Sequence, residues 1–131
     1  MPSNFEKVGH MLRKCELPTY HDDEDASVID DERFLFRLHL IMEETLELLA
    51  AHRARNIHQV ADSLGDLLVV TYGLAHFCNI QIDDAFAEIH RCNMLKERDK
   101  SGTGKRGSSL DLVKPPGWTP PDLTDALKRR R

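Results

Sequence analysis

Ile41-Met42-Glu43-Glu44-Thr45-Leu46-Glu47-Leu48-Leu49, answered by Ala61-Asp62-Ser63-Leu64-Gly65-Asp66-Leu67-Leu68, is the pair of segments that decides how this chain folds. Each plants carboxylates inside an apolar, strongly helical run. Residues three and four apart share a helix face, so Glu43, Glu44 and Glu47 form one acidic cluster. Asp62 and Asp66 stand one turn apart in the same way. Burying five carboxylates among leucines is costly unless something positive neutralises them. A hard divalent cation, Mg²⁺ with Mn²⁺ as the alternative, suits carboxylate oxygens best. The expectation is a metal site built between two helices.

Outward from this pair, Asp30 or Asp31 is placed to cap a helix running from Glu32 to about Arg55. Leu35, Leu38, Met42, Leu46 and Leu49 form its apolar stripe, widened by Phe34, Ile41, Leu48 and Ala51. Asn56 breaks this helix and caps the next, with Gln59 three residues on. So short a turn makes the two helices antiparallel neighbours. At ~1.5 Å per residue, Glu47 before the turn and Asp66 after it fall at one height, which joins the acidic clusters. The second of these helices continues through Val69, Val70, Tyr72, Leu74 and Phe77 to Cys78, with Asn79 as its left-handed stop. It is apolar on nearly every side and must be buried all round. A homo-oligomer, dimer or tetramer, is therefore expected.

Toward the N-terminus, Ser3-Asn4-Phe5-Glu6 has the form of a capping box, and Phe5, Val8, Leu12 and Cys15 recur at helical spacing up to Pro18. The acidic run His21-Asp22-Asp23-Glu24-Asp25 reads as a solvated loop rather than a second metal site. Toward the C-terminus, Asp83 is placed to cap a fourth helix that reaches about Arg98 and carries Asn93 and Lys96 one turn apart. That face suits a phosphate or a base. Arg33 and Arg37, also one turn apart, suit either carboxylates or phosphates. Residues 101–109 have the composition of a flexible linker, and their Gly-x-Gly-Lys lacks the spacing and preceding strand of a phosphate loop. A proline-rich, extended tail follows, with the single tryptophan, Trp118, and a basic end at Lys128-Arg129-Arg130-Arg131. The domain reading is a helical domain over 1–100 and a linker and tail over 101–131, the tail packing on the domain or on a partner subunit.

At 131 residues and a formal net charge of −4, the chain reads as one domain without the basic excess that nucleic-acid polymers attract. No apolar run approaches the ~20 residues of a membrane span, and none precedes the first helix as a signal peptide would. Cys15, Cys78 and Cys92, an odd number in separate helices, read as reduced core thiols of a cytoplasmic protein. The histidines show no ligand spacing.

The combined pattern resembles the MazG-like, all-α nucleoside triphosphate pyrophosphohydrolase superfamily. Its Glu-Glu-x-x-Glu helix is matched by Glu43, Glu44 and Glu47. Its Glu-x-x-Asp helix is matched at Asp66, while Ser63 stands where the family has Glu, and Asp62 is one residue away. His90 to Lys96 resembles its Asn-x-x-Lys helix, and Lys114 to Asp122 the tail of small phage and bacterial members. The resemblance implies an all-α, four-helix bundle hydrolysing a nucleoside triphosphate to the monophosphate and pyrophosphate with Mg²⁺. It implies Glu44, Glu47 and Asp66 as metal ligands, Asp62 as substitute ligand, and Glu43 as ligand or catalytic base. Asn93, Lys96, Lys114 and Trp118 are the implied substrate contacts. Two other readings stand beside it: a phosphoribosyl-ATP pyrophosphohydrolase, and a metal-stabilised helical interaction module that has lost catalysis, for which Ser63 is the argument.

Overall fold

A computed structural model describes residues 1–19 and 27–128. The acidic run at 21–25 and the last three arginines lie outside the described residues. The elements are α1 (Asn4–Lys14), α2 (Ser27–Asp30), α3 (Glu32–Arg53), α4 (Ile57–Phe77), α5 (Ile82–Asn93), β1 (Glu97–Arg98), β2 (Leu112–Val113) and a 3₁₀ turn (Asp125–Leu127). With strands of two residues each, the described chain is all-α. The short α2 is an addition to the four expected helices. The chain divides into two compact units, 1–82 and 83–128.

Helix boundaries in the first unit follow local chemistry. Ser3 accepts from the Glu6 N–H while Glu6 reaches back to the Ser3 N–H, completing the capping box. Asp31 caps α3 through the Arg33 N–H, and Asn56 caps α4 through the His58 and Gln59 N–H groups. Helices α1, α3 and α4 end alike. Glu16, Arg55 and Asn79 take φ of 57°, 51° and 53°, and the N–H groups of Leu17, Asn56 and Ile80 donate back to the carbonyls of Leu12, Ala51 and Ala75. These are Schellman closures, with Asn79 the left-handed stop its residue type suggests.

Helices α3 and α4 form the antiparallel hairpin, and α1 lies along α4. Phe5, Val8 and Leu12 of α1 are buried. The His76 ring stacks on Phe5 with centroids 3.8 Å apart, and its Nε2–H donates to the Phe5 carbonyl at 2.7 Å. At the far end of the hairpin Phe77 is fully buried, with the guanidinium carbons of Arg33 and Arg37 at 5.3 and 5.8 Å from its ring centre.

The inward face of α3 is not the one its leucines suggest. Leu35, Leu38, Met42, Leu46 and Leu49 are all exposed, with Leu46 65% accessible, whereas Phe34, Ile41 and Leu48 are half-buried and Ala51 is buried. Small Ala51 lets the backbones close on that side, and the larger stripe is left outside. Leu64 and Leu68 of α4 are exposed as well. Cys15, expected in the core, is exposed at the C-cap of α1; all three thiols are free.

In the second unit Asp83 sits inside the first turn of α5 rather than before it. The helix stops at Asn93, not near Arg98. Leu95 and Lys96 N–H groups turn back to Cys92 and Asn93, and Glu97–Arg98 pairs antiparallel with Leu112–Val113. The intervening 99–111 segment is tied together by buried Asp99, whose carboxylate accepts from Ser101 Oγ at 2.9 Å and the Gly104 N–H at 2.8 Å. The proline-rich segment turns at Pro115–Trp118, with Gly117 at φ 79° and the Trp118 N–H donating to Pro115, as a type II turn requires. The tail then holds α5 through Trp118 Nε1 to the Cys92 carbonyl at 2.8 Å and the Asp122 N–H to Glu88 Oε1 at 3.1 Å.

Candidate active site

The α3–α4 hairpin brings the two acidic segments together. Glu44 lies on the half-buried side of α3, between exposed Glu43 and Glu47. Its Oε2 is enclosed and, among the described residues, has no hydrogen-bond partner. Burial pushes the Glu44 carboxyl above its usual range; the charge of Glu47 and a side-chain hydrogen bond with it push it further, as do the charges of Asp66 and Glu43. An enclosed carboxylate oxygen without a donor, set among like charges, is costly to bury.

The register differs by one turn from the expected one. Asp66 bears on Glu44, while Asp62 and Ser63 lie beside Glu47. There Glu47, Ala50, Ala54, Gln59, Asp62 and Ser63 line a shallow cleft of about 380 Å³ floored by Ala51. Ser63 is buried and Asp62 is exposed at the rim. The residue at the family's Glu position therefore faces inward with a hydroxyl, and the carboxylate is displaced to the edge. Gln59 of this cleft was assigned only a capping role from sequence. It lies one turn before Asp62, so the same i,i+3 spacing that linked the acids would have found it.

The donor set fits a hard dication: acceptor-only carboxylates from two helices, one oxygen of which lacks any donor. Among the described residues no three His, Cys, Asp or Glu side chains form a finished ligand set. The carboxylates converge on Glu44 without closing around a point.

The substrate contacts implied by resemblance fall in the second unit. Lys96 and Lys114 each lie against the Trp118 ring, with their ammonium nitrogens 5.4 and 4.8 Å from its centre. These are cation–π distances. Trp118 is thus tethered at its nitrogen and covered by ammonium groups, an arrangement of a packing anchor that gathers positive charge. Asn93 is exposed at the last position of α5, separate from that cluster's hydrogen bonds.

No helix among the described residues is long and apolar enough to cross a membrane. No curated protein matches the chain. The sequence pattern of the phosphoribosyl-ATP pyrophosphohydrolase family matches residues 13–93, more than half the chain. The match contains Glu43, Glu44, Glu47, Asp62 and Asp66 and ends at Asn93, leaving Lys96, Lys114 and Trp118 outside it. With an all-α chain, an acidic helical hairpin and this match in agreement, the chain belongs to the phosphoribosyl-ATP pyrophosphohydrolase family, within the MazG-like all-α nucleoside triphosphate pyrophosphohydrolase superfamily.

Proposed function

We propose that this protein is a Mg²⁺-dependent hydrolase that cleaves a nucleoside or deoxynucleoside triphosphate to the monophosphate and pyrophosphate. Family membership supplies the reaction class, hydrolysis of nucleotide pyrophosphate bonds. The observation that carries the assignment of residues is the enclosed, unpartnered Oε2 of Glu44 among Glu47, Asp66 and Glu43. Glu44, Glu47 and Asp66 would hold the cation, with Mn²⁺ as an alternative, and Asp62 would supply a further carboxylate from the rim. A bound dication supplies charge neutralisation on the phosphates and a lowered pKa for water. Glu43, exposed beside the cluster, serves as a ligand or takes the proton of the attacking water. The new bond joins water oxygen to the α-phosphorus; the bond to the β-phosphate oxygen breaks, and pyrophosphate leaves with its charge on that oxygen. In the other unit, Lys96, Lys114 and Asn93, with Trp118 positioning both lysines, are the substrate contacts that the resemblance implies.

The activity for which the family is named favours a second reading, in which phosphoribosyl-ATP is the substrate. Inward-facing Ser63 favours a third, a metal-stabilised helical module without turnover. The acting form is a homo-oligomer, dimer or tetramer, in the cytoplasm. The exposed Leu35–Leu49 stripe of α3 together with Leu64 and Leu68 supports self-association, because so contiguous an apolar surface is uncommon on a monomer. The test is product analysis with a panel of ribo- and deoxyribonucleoside triphosphates and phosphoribosyl-ATP, with and without Mg²⁺. Release of pyrophosphate and a monophosphate only with metal supports the proposal. Orthophosphate and diphosphate products, or no turnover of any nucleotide, would overturn it.

A further inference from the structure

Arg33 and Arg37 both lie over the Phe77 ring, but their other partners differ. Arg33 is engaged by a carboxylate: its Nε and Nη2 donate to the two Asp31 oxygens at 3.0 and 2.9 Å. Arg37 is half-buried, and among the described residues it faces no carboxylate. Among the described residues its hydrogen-bond acceptor is the Pro18 carbonyl at 3.4 Å, too long for a strong bond. A guanidinium carries five N–H donors in a fork shaped for carboxylate or phosphate oxygens. Burial pulls the Arg37 pKa below its ordinary value, and the neighbouring Cys78 thiol, itself pushed up by burial, pulls it back only in part.

Position gives this group a use. Arg37 precedes Glu44 by seven residues, so both lie on the α4-facing side of α3, ~10.5 Å apart along the axis. Across the hairpin, Asp66 bears on Glu44, and Gly73, seven residues beyond Asp66, meets Arg37. A Cβ at Gly73 would come within 3.1 Å of Arg37 Nη1, so α4 leaves room for the guanidinium. One register thus sets a cation-deficient cluster and an anion-deficient guanidinium two turns apart on one face. That is the polarity a short polyphosphate chain would bridge, with metal-bound phosphate at one end and a free terminal phosphate at the other.

We propose that Arg37 is a substrate-binding residue of this site, receiving the terminal phosphates that depart as pyrophosphate. The inference rests on the proposed pyrophosphohydrolase reading and names the group that holds its leaving half. Arg33, already held by Asp31, has a structural role.

The probe is inorganic pyrophosphate, titrated calorimetrically into the full chain in Mg²⁺. The wild type binds it, and Arg37→Gln weakens binding by roughly tenfold or more, the loss of one or two charged hydrogen bonds. Arg37→Lys, which keeps the charge but not the fork, falls between them, while Arg33→Gln lowers thermal stability and leaves pyrophosphate affinity unchanged. The unaltered protein supplies a measurement independent of variant folding: pyrophosphate slows phenylglyoxal modification at Arg37, read by peptide mass spectrometry. Absence of pyrophosphate binding by the wild type, equal affinity in a folded Arg37→Gln, or unprotected Arg37 would overturn the proposal. Arg37-dependent binding in a protein that hydrolyses no nucleotide would leave this site standing and sink the hydrolase reading. Hydrolysis with Arg37-independent pyrophosphate binding would do the reverse.

Discussion

Gly9→Ala tests how tightly α1 is clasped to α4. A Cβ built on Gly9 falls 2.6 Å from His76 Cε1 and 2.9 Å from Nε2, well inside contact distance. The ring cannot simply yield, because it stacks on Phe5 at 3.8 Å and donates to the Phe5 carbonyl at 2.7 Å. Alanine in a helix gains up to ~1 kcal/mol over glycine. Against that stand overpacking, about 1–3 kcal/mol, and loss of a half-buried hydrogen bond, about 1 kcal/mol. The net expectation is a destabilisation of about 1–3 kcal/mol, measured by urea unfolding followed by circular dichroism. Gly65 supplies the control, since nothing lies within 4 Å of its Cβ position. Gly65→Ala is expected to stabilise by up to ~1 kcal/mol. Adding His76→Ala should remove most of the extra cost of Gly9→Ala, a non-additivity expected of touching residues. If Gly9→Ala stabilises as Gly65→Ala does, the clasp is not as drawn.

Three further outcomes are expected. Ser63→Glu, placing a carboxylate at the buried position beside Glu47, lowers stability without metal and raises Mg²⁺ affinity, read by melting temperature across a Mg²⁺ series; no gain in metal response would refute Ser63 as the missing ligand position. The Glu88 carboxyl is held down to about 2, first by the paired N–H groups of Arg91 and then by the Asp122 N–H. A depressed folded pKa stabilises above the ordinary value and is lost as pH falls through the folded one. Trp118 emission should therefore shift between about pH 4.5 and 2 as the tail loosens, and Glu88→Gln should loosen it at neutral pH; identical titrations of wild type and variant would count against this anchor. Sedimentation equilibrium should give a multiple of 15.0 kDa, and Leu46→Glu should lower it, whereas a 15.0 kDa species at micromolar concentration would remove the argument for a partner on α3.

The caps were legible because they are local: Ser3 with Glu6, Asp31, Asn56 and Asn79 each act within three residues of their own position. The acidic hairpin was legible because periodicity and turn length fix which helices meet. The inward face of α3 was not. Two adjacent apolar faces compete there, and residue size favours Leu35–Leu49, while the close approach permitted by Ala51 chooses the other. The end of α5 was missed because Glu97 and Arg98 are good helix formers and a two-residue strand has no period to detect. The role of Asp99 was likewise hidden, since its partners Ser101 and Gly104 look only like linker composition.

The claim on which the rest depends is that Glu44 and its neighbours bind a divalent metal. Titrating the protein into Mn²⁺ and following the paramagnetic resonance signal of the free aqua ion reports binding directly, whether or not any nucleotide turns over. The wild type should deplete that signal, and Glu44→Gln and Asp66→Asn, folded by circular dichroism, should leave it largely intact. Equal depletion by all three proteins, or none by the wild type, would contradict the assignment.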